Sequence, residues 1–329
     1  MKWLIAGLGS IGRRHLRNLR ALSENDIVLY RTHQSTMSDE EFSGLPVETD
    51  LGRALDLKPD AVIVSNPTAL HLEVAIPAAE AGCHILMEKP ISHSLDGVDI
   101  LAQIAGRSGS RILIGFQFRF HPTLQKAKEI LRAGSLGRVL SCRAHWGEYL
   151  PNWHPWEDYK QGYAARADLG GGVVLTLCHP LDYIRMLLGE VDSLWAFTSS
   201  MNLRIPVEDA AEIGIRFSRG AIGSVHLNYN QRPPAHRLEI VGSNGTLQWD
   251  TADGILRYYQ SETQLWQSFP PPTGFERNTM FMDELSHFTA VAQGIAEPVC
   301  TLEDGRRALV LALGVHESAA SSKLMTFHW

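Results

Sequence analysis

Trp3-Leu4-Ile5-Ala6-Gly7-Leu8-Gly9-Ser10-Ile11-Gly12 decides how the rest of the chain is read. An apolar run ends in Gly-x-Gly-x-x-Gly, and residues 13–22 continue with Leu16 and Leu19 at helical spacing. The order strand, glycine turn, helix gives the three glycines separate duties. Gly7 permits the tight turn off the strand, Gly9 lets backbone approach a pyrophosphate, and Gly12 lets the helix pack on the strand. Amide groups at the helix start, including those of Ser10 and Ile11, are placed to hold the anion. A tight strand-to-helix turn without a nucleotide produces the same pattern, so the rest of the chain must choose.

The acid that usually receives the ribose hydroxyls about twenty residues past such a loop is missing, because no Asp or Glu lies between Asp26 and Asp39. The second apolar run is Ile27-Val28-Leu29-Tyr30 and is followed by Arg31-Thr32. Without a carboxylate there is no repulsion toward a 2′-phosphate, and a guanidinium can pair that phosphate bidentately and stack on adenine. NADP is therefore the favoured cofactor, with NAD possible. The competing reading of Arg31 is a solvated cation at a strand end, and Arg13, Arg14 and Arg17 share that ambiguity as a basic helix face.

A chain of 329 residues, 44% hydrophobic, suits about two domains with ample cores. The net charge of −6 argues against electrostatic binding of nucleic acid. No uninterrupted apolar stretch approaches the ~20 residues that span a bilayer, and Arg13-Arg14 stand where a signal-peptide cleavage site belongs. Cys83, Cys142, Cys178 and Cys300 lack CxxC spacing, and the fourteen histidines form no HExxH or Cys/His cluster. A reduced cytoplasmic protein without a metal is the expectation.

Residues 1–120 alternate short apolar runs with helical stretches, the later runs lying at 27–30, 61–65, 85–87 and 112–116. That alternation predicts a doubly wound parallel sheet, whose ligand sits outside the strand C-termini. Asn66-Pro67-Thr68 and Glu88-Lys89-Pro90 follow two of these runs, which puts Asn66, Pro67, Glu88 and Lys89 on the cofactor edge, with His71 bordering it. Residues 121–329 read differently: a helix at 123–133, a long Trp-rich loop, another helix, then strands near 211–217, 221–229, 237–241, 245–249 and 255–259. Arg219-Gly220 and Ser243-Asn244-Gly245 mark turns between neighbours, implying antiparallel pairing. A helix at 281–293 follows Pro270-Pro271-Pro272. The expected protein is α/β: a Rossmann domain (1–120) and a substrate-binding, oligomerising α/β domain (121–329).

These elements resemble the glucose-fructose oxidoreductase, inositol dehydrogenase and MocA family over nearly the whole chain. The resemblance rests on the glycine loop, Asn66-Pro67-Thr68, Glu88-Lys89-Pro90, Gly170-Gly171-Gly172 with His179, and Leu302-Glu303-Asp304-Gly305. It implies an open, mainly antiparallel sheet in the second domain, a homo-oligomer (dimer or tetramer), and Lys89 and His179 as catalytic residues. The family's Asp stands three or four residues before its His, and Thr176 occupies the three-residue position here. A threonine cannot be a carboxylate base, so either His179 works with Lys89 alone or the activity departs from simple alcohol oxidation.

Apart from the resemblance, Thr176, His179, Asp182 and Tyr183 recur at spacings that line one helical face. The lesser alternative is that His179 and Asp182 form an ordinary surface pair. Arg119 points either to a carboxylate or phosphate on the substrate or to a brace at the domain junction. Trp146, Trp153 and Trp156, interleaved with His154, suit a sugar ring or a loop stapled down by aromatic packing, and Arg166 and Asp168 precede the glycines. Substrate-contact candidates are Arg119, Trp153, His154, Arg166, Thr176 and Asp182. Oxidising a secondary alcohol needs hydride transfer to the nicotinamide and removal of the hydroxyl proton. The leading expectation is an NAD(P)-dependent oxidoreductase of a sugar, polyol or sugar-derivative hydroxyl or keto group. Alternatives are a cofactor-binding sensor or scaffold without turnover, and an imine or double-bond reductase.

Overall fold

Six short strands, almost wholly apolar, build the first sheet: β1 (Trp3–Ala6), β2 (Ile27–Tyr30), β3 (Val47–Glu48), β4 (Ala61–Val64), β5 (His84–Glu88) and β6 (Ile112–Gly115). The structure, a computed structural model, describes residues 1–32 and 40–329. The strands pair in parallel in the order β3-β2-β1-β4-β5-β6. Every residue of β1 and β4 is fully buried, as befits a parallel sheet covered on both faces. Helices α1 (Ser10–Ala21), α2 (Leu51–Asp56), α3 (His71–Glu80) and α4 (Val98–Ser108) make the crossovers. This is the dinucleotide-binding strand order, with the direction of winding reversing between β1 and β4.

Gly7 and Gly12 carry out the duties read from their spacing. Gly7 has φ +94°, a left-handed conformation, and a Cβ there would lie 2.4 Å from the Asn66 nitrogen. A Cβ on Gly12 would meet the Gly7 carbonyl oxygen at 2.0 Å and Ser65 Oγ at 2.8 Å, so α1 sits against the β1 and β4 ends only because residue 12 has no side chain. Gly12→Ala must push helix off strand; we expect a loss of about 1–3 kcal/mol, the usual range for overpacking, with weaker nucleotide binding. Thermal melts and an NADH titration check this, and unchanged values for both would show that the turn tolerates a methyl group.

The chain folds into two units, each drawing on separate stretches of sequence: Met1–Gln117 with Asp168–Gly170 and Arg277–Leu309, and Phe118–Ala167 with Gly171–Glu276 and Val310–Trp329. The first unit thus takes in α8 (Arg277–Ala292) and the start of α9 (Leu302–Ser321), which chain order alone assigns to residues 121–329. The reason is packing: Phe288 of α8 sets its ring 5.9 Å from Trp3 of β1, and Phe281 sets its ring 6.3 Å from His15 of α1.

The second unit holds a nine-stranded sheet in the order β14-β13-β12-β11-β7-β10-β9-β8-β15. Its strands are β7 (Val139–Tyr149), β8 (Val191–Ser199), β9 (Ala210–Phe217), β10 (Ile222–Asn228), β11 (Asn230–Gly242), β12 (Gly245–Asp250), β13 (Leu256–Gln260), β14 (Leu265–Phe269) and β15 (Met325–Thr326). All neighbours are antiparallel except β7 and β10, which run parallel. The Arg219-Gly220 turn joins β9 to β10, with Gly220 at φ +88°. The Trp-rich segment does not begin as a loop: Trp146 lies inside β7 and is 5% exposed. Helices α5 (Pro122–Arg132), the single turn α6 (Val173–Thr176), α7 (His179–Leu188) and the later part of α9 complete the unit.

Candidate functional site

In the first unit, the turn after β1 opens toward the sheet's C-terminal edge. Gly9 is the N-cap of α1, has no side chain to cap the helix, and has nothing within 4 Å of where a Cβ would stand. The backbone at Gly9 is open where a side chain would stand, so a phosphate can come close. These residues fit a dinucleotide. When bound, the nicotinamide supplies the hydride chemistry.

At the end of β2, Arg31 is 7% exposed, with its guanidinium carbon 5.5 Å from the Phe42 ring centre. Arg13 lies 4.4 Å over the same ring and ion-pairs with Glu41 at 3.4 Å. Arg13 is therefore buried between strand and ring, not part of an exposed basic face, whereas Arg17 is exposed and reaches Glu41 at 3.2 Å. Thr32 is exposed.

The ends of β4 and β5 are tied together. Asn66 donates from Nδ2 to the Leu70 carbonyl at 2.9 Å, and its buried Oδ1 has no hydrogen-bond partner among the described residues. His71, expected to border the cofactor, has a ring only 1% exposed, with Nδ1 2.9 Å from the Pro90 carbonyl oxygen and Nε2 3.0 Å from that of Asn66. Burial pushes His71 down to about 4, so the ring is a neutral imidazole that donates its single N–H to one of the two carbonyls and packs between the Asn66-Pro67 loop and the Lys89-Pro90 turn. Glu88 is also turned inward, its Oε1 2.9 Å from His15 Nε2. Burial pushes its carboxyl up, but the hydrogen bond and charge of His15, with Lys89 and His71 nearby, bring it net below its ordinary value. Lys89 thus starts from a turn fixed on both sides, by Glu88–His15 and by His71. The Lys89–Pro90 peptide is cis.

In the second unit, α6 ends at Thr176, and α7 starts afresh at His179, so the expected continuous helical face is broken at Leu177 and Cys178. Thr176 and His179 are 3% and 2% exposed. The His179 ring lies 5.1 Å from Phe118 and 5.3 Å from Trp146, an aromatic wall that fixes its position. Asp182 and Arg119, both expected to meet substrate, face each other. Arg119 Nε lies 2.9 Å from Oδ2 and Nη2 2.6 Å from Oδ1, with the two residues 7% and 1% exposed. A fork-to-carboxylate pair this deep is a structural element of the unit.

His236, which no sequence signal singles out, stacks on Trp146 at 4.2 Å and accepts or donates a hydrogen bond with the Tyr183 hydroxyl at 3.1 Å. Trp153 is half-buried, its ring edge-on to Tyr229 at 5.5 Å, and its Nε1 has no partner among the described residues. His154 lies 5.1 Å from Trp156, which is 62% exposed. Arg166 is half-buried, and its carbonyl accepts the Gly171 amide at 2.8 Å. All four cysteines are buried, burial pushing Cys142 up to about 12. Among the described residues no cluster of His, Cys, Asp and Glu could hold a metal, and no helix is long and apolar enough to cross a membrane.

Residues 1–116 match the model of an oxidoreductase family with an NAD-binding Rossmann fold, and residues 124–248 match the GFO/IDH/MocA C-terminal domain. Among curated relatives, a 1,5-anhydro-D-fructose reductase of Ensifer adhaerens is 24% identical, the alignment covering 98% of this chain and 97% of the relative. A myo-inositol 2-dehydrogenase of Thermotoga maritima is 26% identical, with 95% of each covered. A levoglucosan dehydrogenase solved with NADH and levoglucosan shares the fold at a TM-score of 0.88 and 21% identity, with 99% of each chain covered. Both halves of the chain being matched in order, the protein belongs to the glucose-fructose oxidoreductase, inositol dehydrogenase and MocA family and is an oxidoreductase with an NAD-binding Rossmann domain.

Proposed function

We propose that the protein transfers hydride between NADP(H) and a hydroxyl or keto carbon of a sugar, polyol or sugar derivative, with Lys89 and His179 as its proton-handling residues. The observation that carries this is the Glu88-Lys89-Pro90 turn. It leaves the C-terminal end of β5 in the same sheet as the glycine loop and is braced by His15 and His71. A lysine held there can orient a substrate hydroxyl by hydrogen bonding and exchange its proton as the carbon changes oxidation state. His179, fixed against Phe118 and Trp146, is the second proton carrier, and Thr176 offers a hydroxyl where a carboxylate is absent. The substrate class is supported by the relatives, whose names are those of an anhydro-fructose reductase, an inositol dehydrogenase and a levoglucosan dehydrogenase.

Trp153, His154 and Arg166 are proposed substrate contacts. Arg119 and Asp182 would shape the site through their mutual pair. A homo-oligomer is supported by Phe197 and Ile222, 60% and 57% exposed on the open face of the nine-stranded sheet.

Turnover of a panel of anhydro-sugars, aldoses and polyols with NAD⁺ and NADP⁺ tests the reading. At least one compound reducing cofactor is expected; no turnover in either direction, by a protein that binds the dinucleotide, would overturn it. NADP is favoured because Arg31 follows directly on β2 and the nearest following acid in sequence is Asp39. NADPH is expected to quench tryptophan emission at lower concentration than NADH, and Arg31→Ala is expected to erase the difference. NAD is the second reading, favoured by Glu41, which brings a carboxylate to Arg13 and Arg17. Equal or NADH-favouring titrations would select it.

A further inference from the structure

Helix α6 is a single turn of four residues, and Thr176 is its last. So short a helix does not hold its own shape in water, because nucleating a turn costs more than its one or two hydrogen bonds return. What fixes it must lie outside it. Gly172, its N-cap, stands at φ +106° and has no side chain with which to cap the turn. The cap is supplied by Glu208, 34 residues further along the chain and just ahead of β9. Glu208 Oε1 accepts the Val174 amide at 3.0 Å, and the Glu208 backbone carbonyl accepts the Val173 amide at 3.0 Å. A carboxylate on the first amides of a helix is a charge-assisted cap.

The fit around this carboxylate is close. A Cβ on Gly172 would lie 2.4 Å from Oε1 and 2.6 Å from Oε2, so the carboxylate rests against bare backbone. His316, from the part of α9 that belongs to the second unit, brings Nε2 to 3.2 Å from the same Oε1. The Gly172 carbonyl accepts the Thr176 amide at 3.0 Å and the hydroxyl of the fully buried Tyr229 at 3.0 Å. A short run of hydrogen-bonded backbone therefore joins the Glu208 carboxylate to Thr176. Thr176 itself is 3% exposed, and Val173 and Val174 are fully buried. The turn cannot shift without moving that threonine.

We propose that Glu208 is a positioning residue for Thr176: by gripping Gly172 and Val174 from outside the turn, it fixes where the Thr176 hydroxyl meets substrate. A misplacement of about 1 Å in a group that orients substrate costs up to about a hundredfold in rate. A single turn released at its first amides has that much freedom. The inference rests on the reading of Thr176 as a hydroxyl that contacts substrate.

Glu208→Gln keeps a side-chain carbonyl for the Val174 amide, whereas Glu208→Leu keeps the volume and removes the acceptor. Glu208→Ala serves if Glu208→Leu does not fold, as judged by thermal melts. With whichever sugar is turned over, we expect Glu208→Gln to stay within about twofold of wild-type kcat/KM and Glu208→Leu to lose about tenfold, with NADH affinity unchanged. The decisive comparison is a double-mutant cycle with Thr176→Val, which removes the hydroxyl and keeps the shape. In the Thr176→Val background, Glu208→Leu should cost less than about twofold, because the group it aims is already gone. A purely structural role would give the same tenfold loss in both backgrounds, and that result would overturn the proposal. Hydrogen exchange of the 172–177 segment, followed by mass spectrometry, needs no turnover. It should speed up about tenfold in Glu208→Leu and not in Glu208→Gln. Unchanged exchange in Glu208→Leu would overturn the role of Glu208 whether or not a sugar is turned over. Faster exchange there, in a protein that turns over no sugar, would support the grip on the turn and count against the proposed reaction alone.

Discussion

Lys89→Ala is expected to lower kcat by about a thousandfold or more while leaving the NADH dissociation constant within about threefold of wild type, the range for removing a positioned proton-transfer group. The asymmetry follows from where the residue stands. Dinucleotide binding depends on the Gly7–Gly12 turn and on the start of α1, where Gly9 leaves space beside the backbone. Lys89 belongs to a different turn, after β5. The loss should therefore fall on the chemical step. Lys89→Arg is the informative companion: it keeps the charge, but a planar guanidinium holds its proton at all working pH values and cannot stand in for an amine. We expect it to recover less than a tenth of the lost rate, on the order of a local conservative change that fails chemically. Steady-state kinetics beside fluorescence titration checks both variants. Wild-type turnover by Lys89→Ala would remove the residue from the mechanism. Loss of NADH binding in step with turnover would make it a cofactor-holding residue.

The second large effect is on stability. Asp182→Ala is expected to destabilise the second unit by about 3–5 kcal/mol, because it leaves the Arg119 guanidinium as a charge that has lost its forked partner in a buried setting. Arg119 and Asp182 are 7% and 1% exposed and joined at 2.6 Å and 2.9 Å, so water does not screen the pair. Arg119→Met should cost a similar amount, since it strands the carboxylate. The double variant Arg119→Met with Asp182→Leu should lose much less than the sum of the two, because no charge is then left buried. Denaturant melts followed by Trp emission measure all three. Costs under about 1 kcal/mol for each single variant, the level of a surface pair, would mean that the two groups are hydrated in solution.

Local patterns in the sequence carried much of this molecule. Ile27–Tyr30 is a strand at the positions its apolar run predicts, and the glycine spacing predicted contacts that the Gly7 and Gly12 environments bear out. Lys89 and Asn66 were legible because strand–turn boundaries put them at strand ends. What escaped reading depends on long-range contact. Val139–Tyr149 does alternate, buried Cys142, Ala144 and Trp146 against Ser141, Arg143 and His145, but its inward residues include only one large apolar side chain, and Trp146 reads as loop when grouped with Trp153 and Trp156. Helix α8 lies late in the chain, and only the meeting of Phe288 with Trp3 joins it to the first unit. Helical spacing put Asp182 near His179, but it carried no information about Arg119, 63 residues away, or about His15 under Glu88, 73 residues away. His236 belongs to no motif, and its stacking on Trp146 follows from the register of β11 on β7, where the two are paired. Burial changes the meaning of such residues: a charged group that looks available in a sequence is engaged once its partner arrives from another element.

The most direct measurement is isotopic. Protein incubated with reduced cofactor carrying deuterium at both C4 positions of the nicotinamide, and with the keto form of whichever sugar gives turnover, is analysed by mass spectrometry of the sugar product. The account predicts one deuterium on the carbon that becomes the hydroxyl-bearing carbon, in wild-type protein and, at a far lower rate, in Lys89→Ala. A product without deuterium, formed while the cofactor is consumed, would contradict hydride transfer from nicotinamide to sugar.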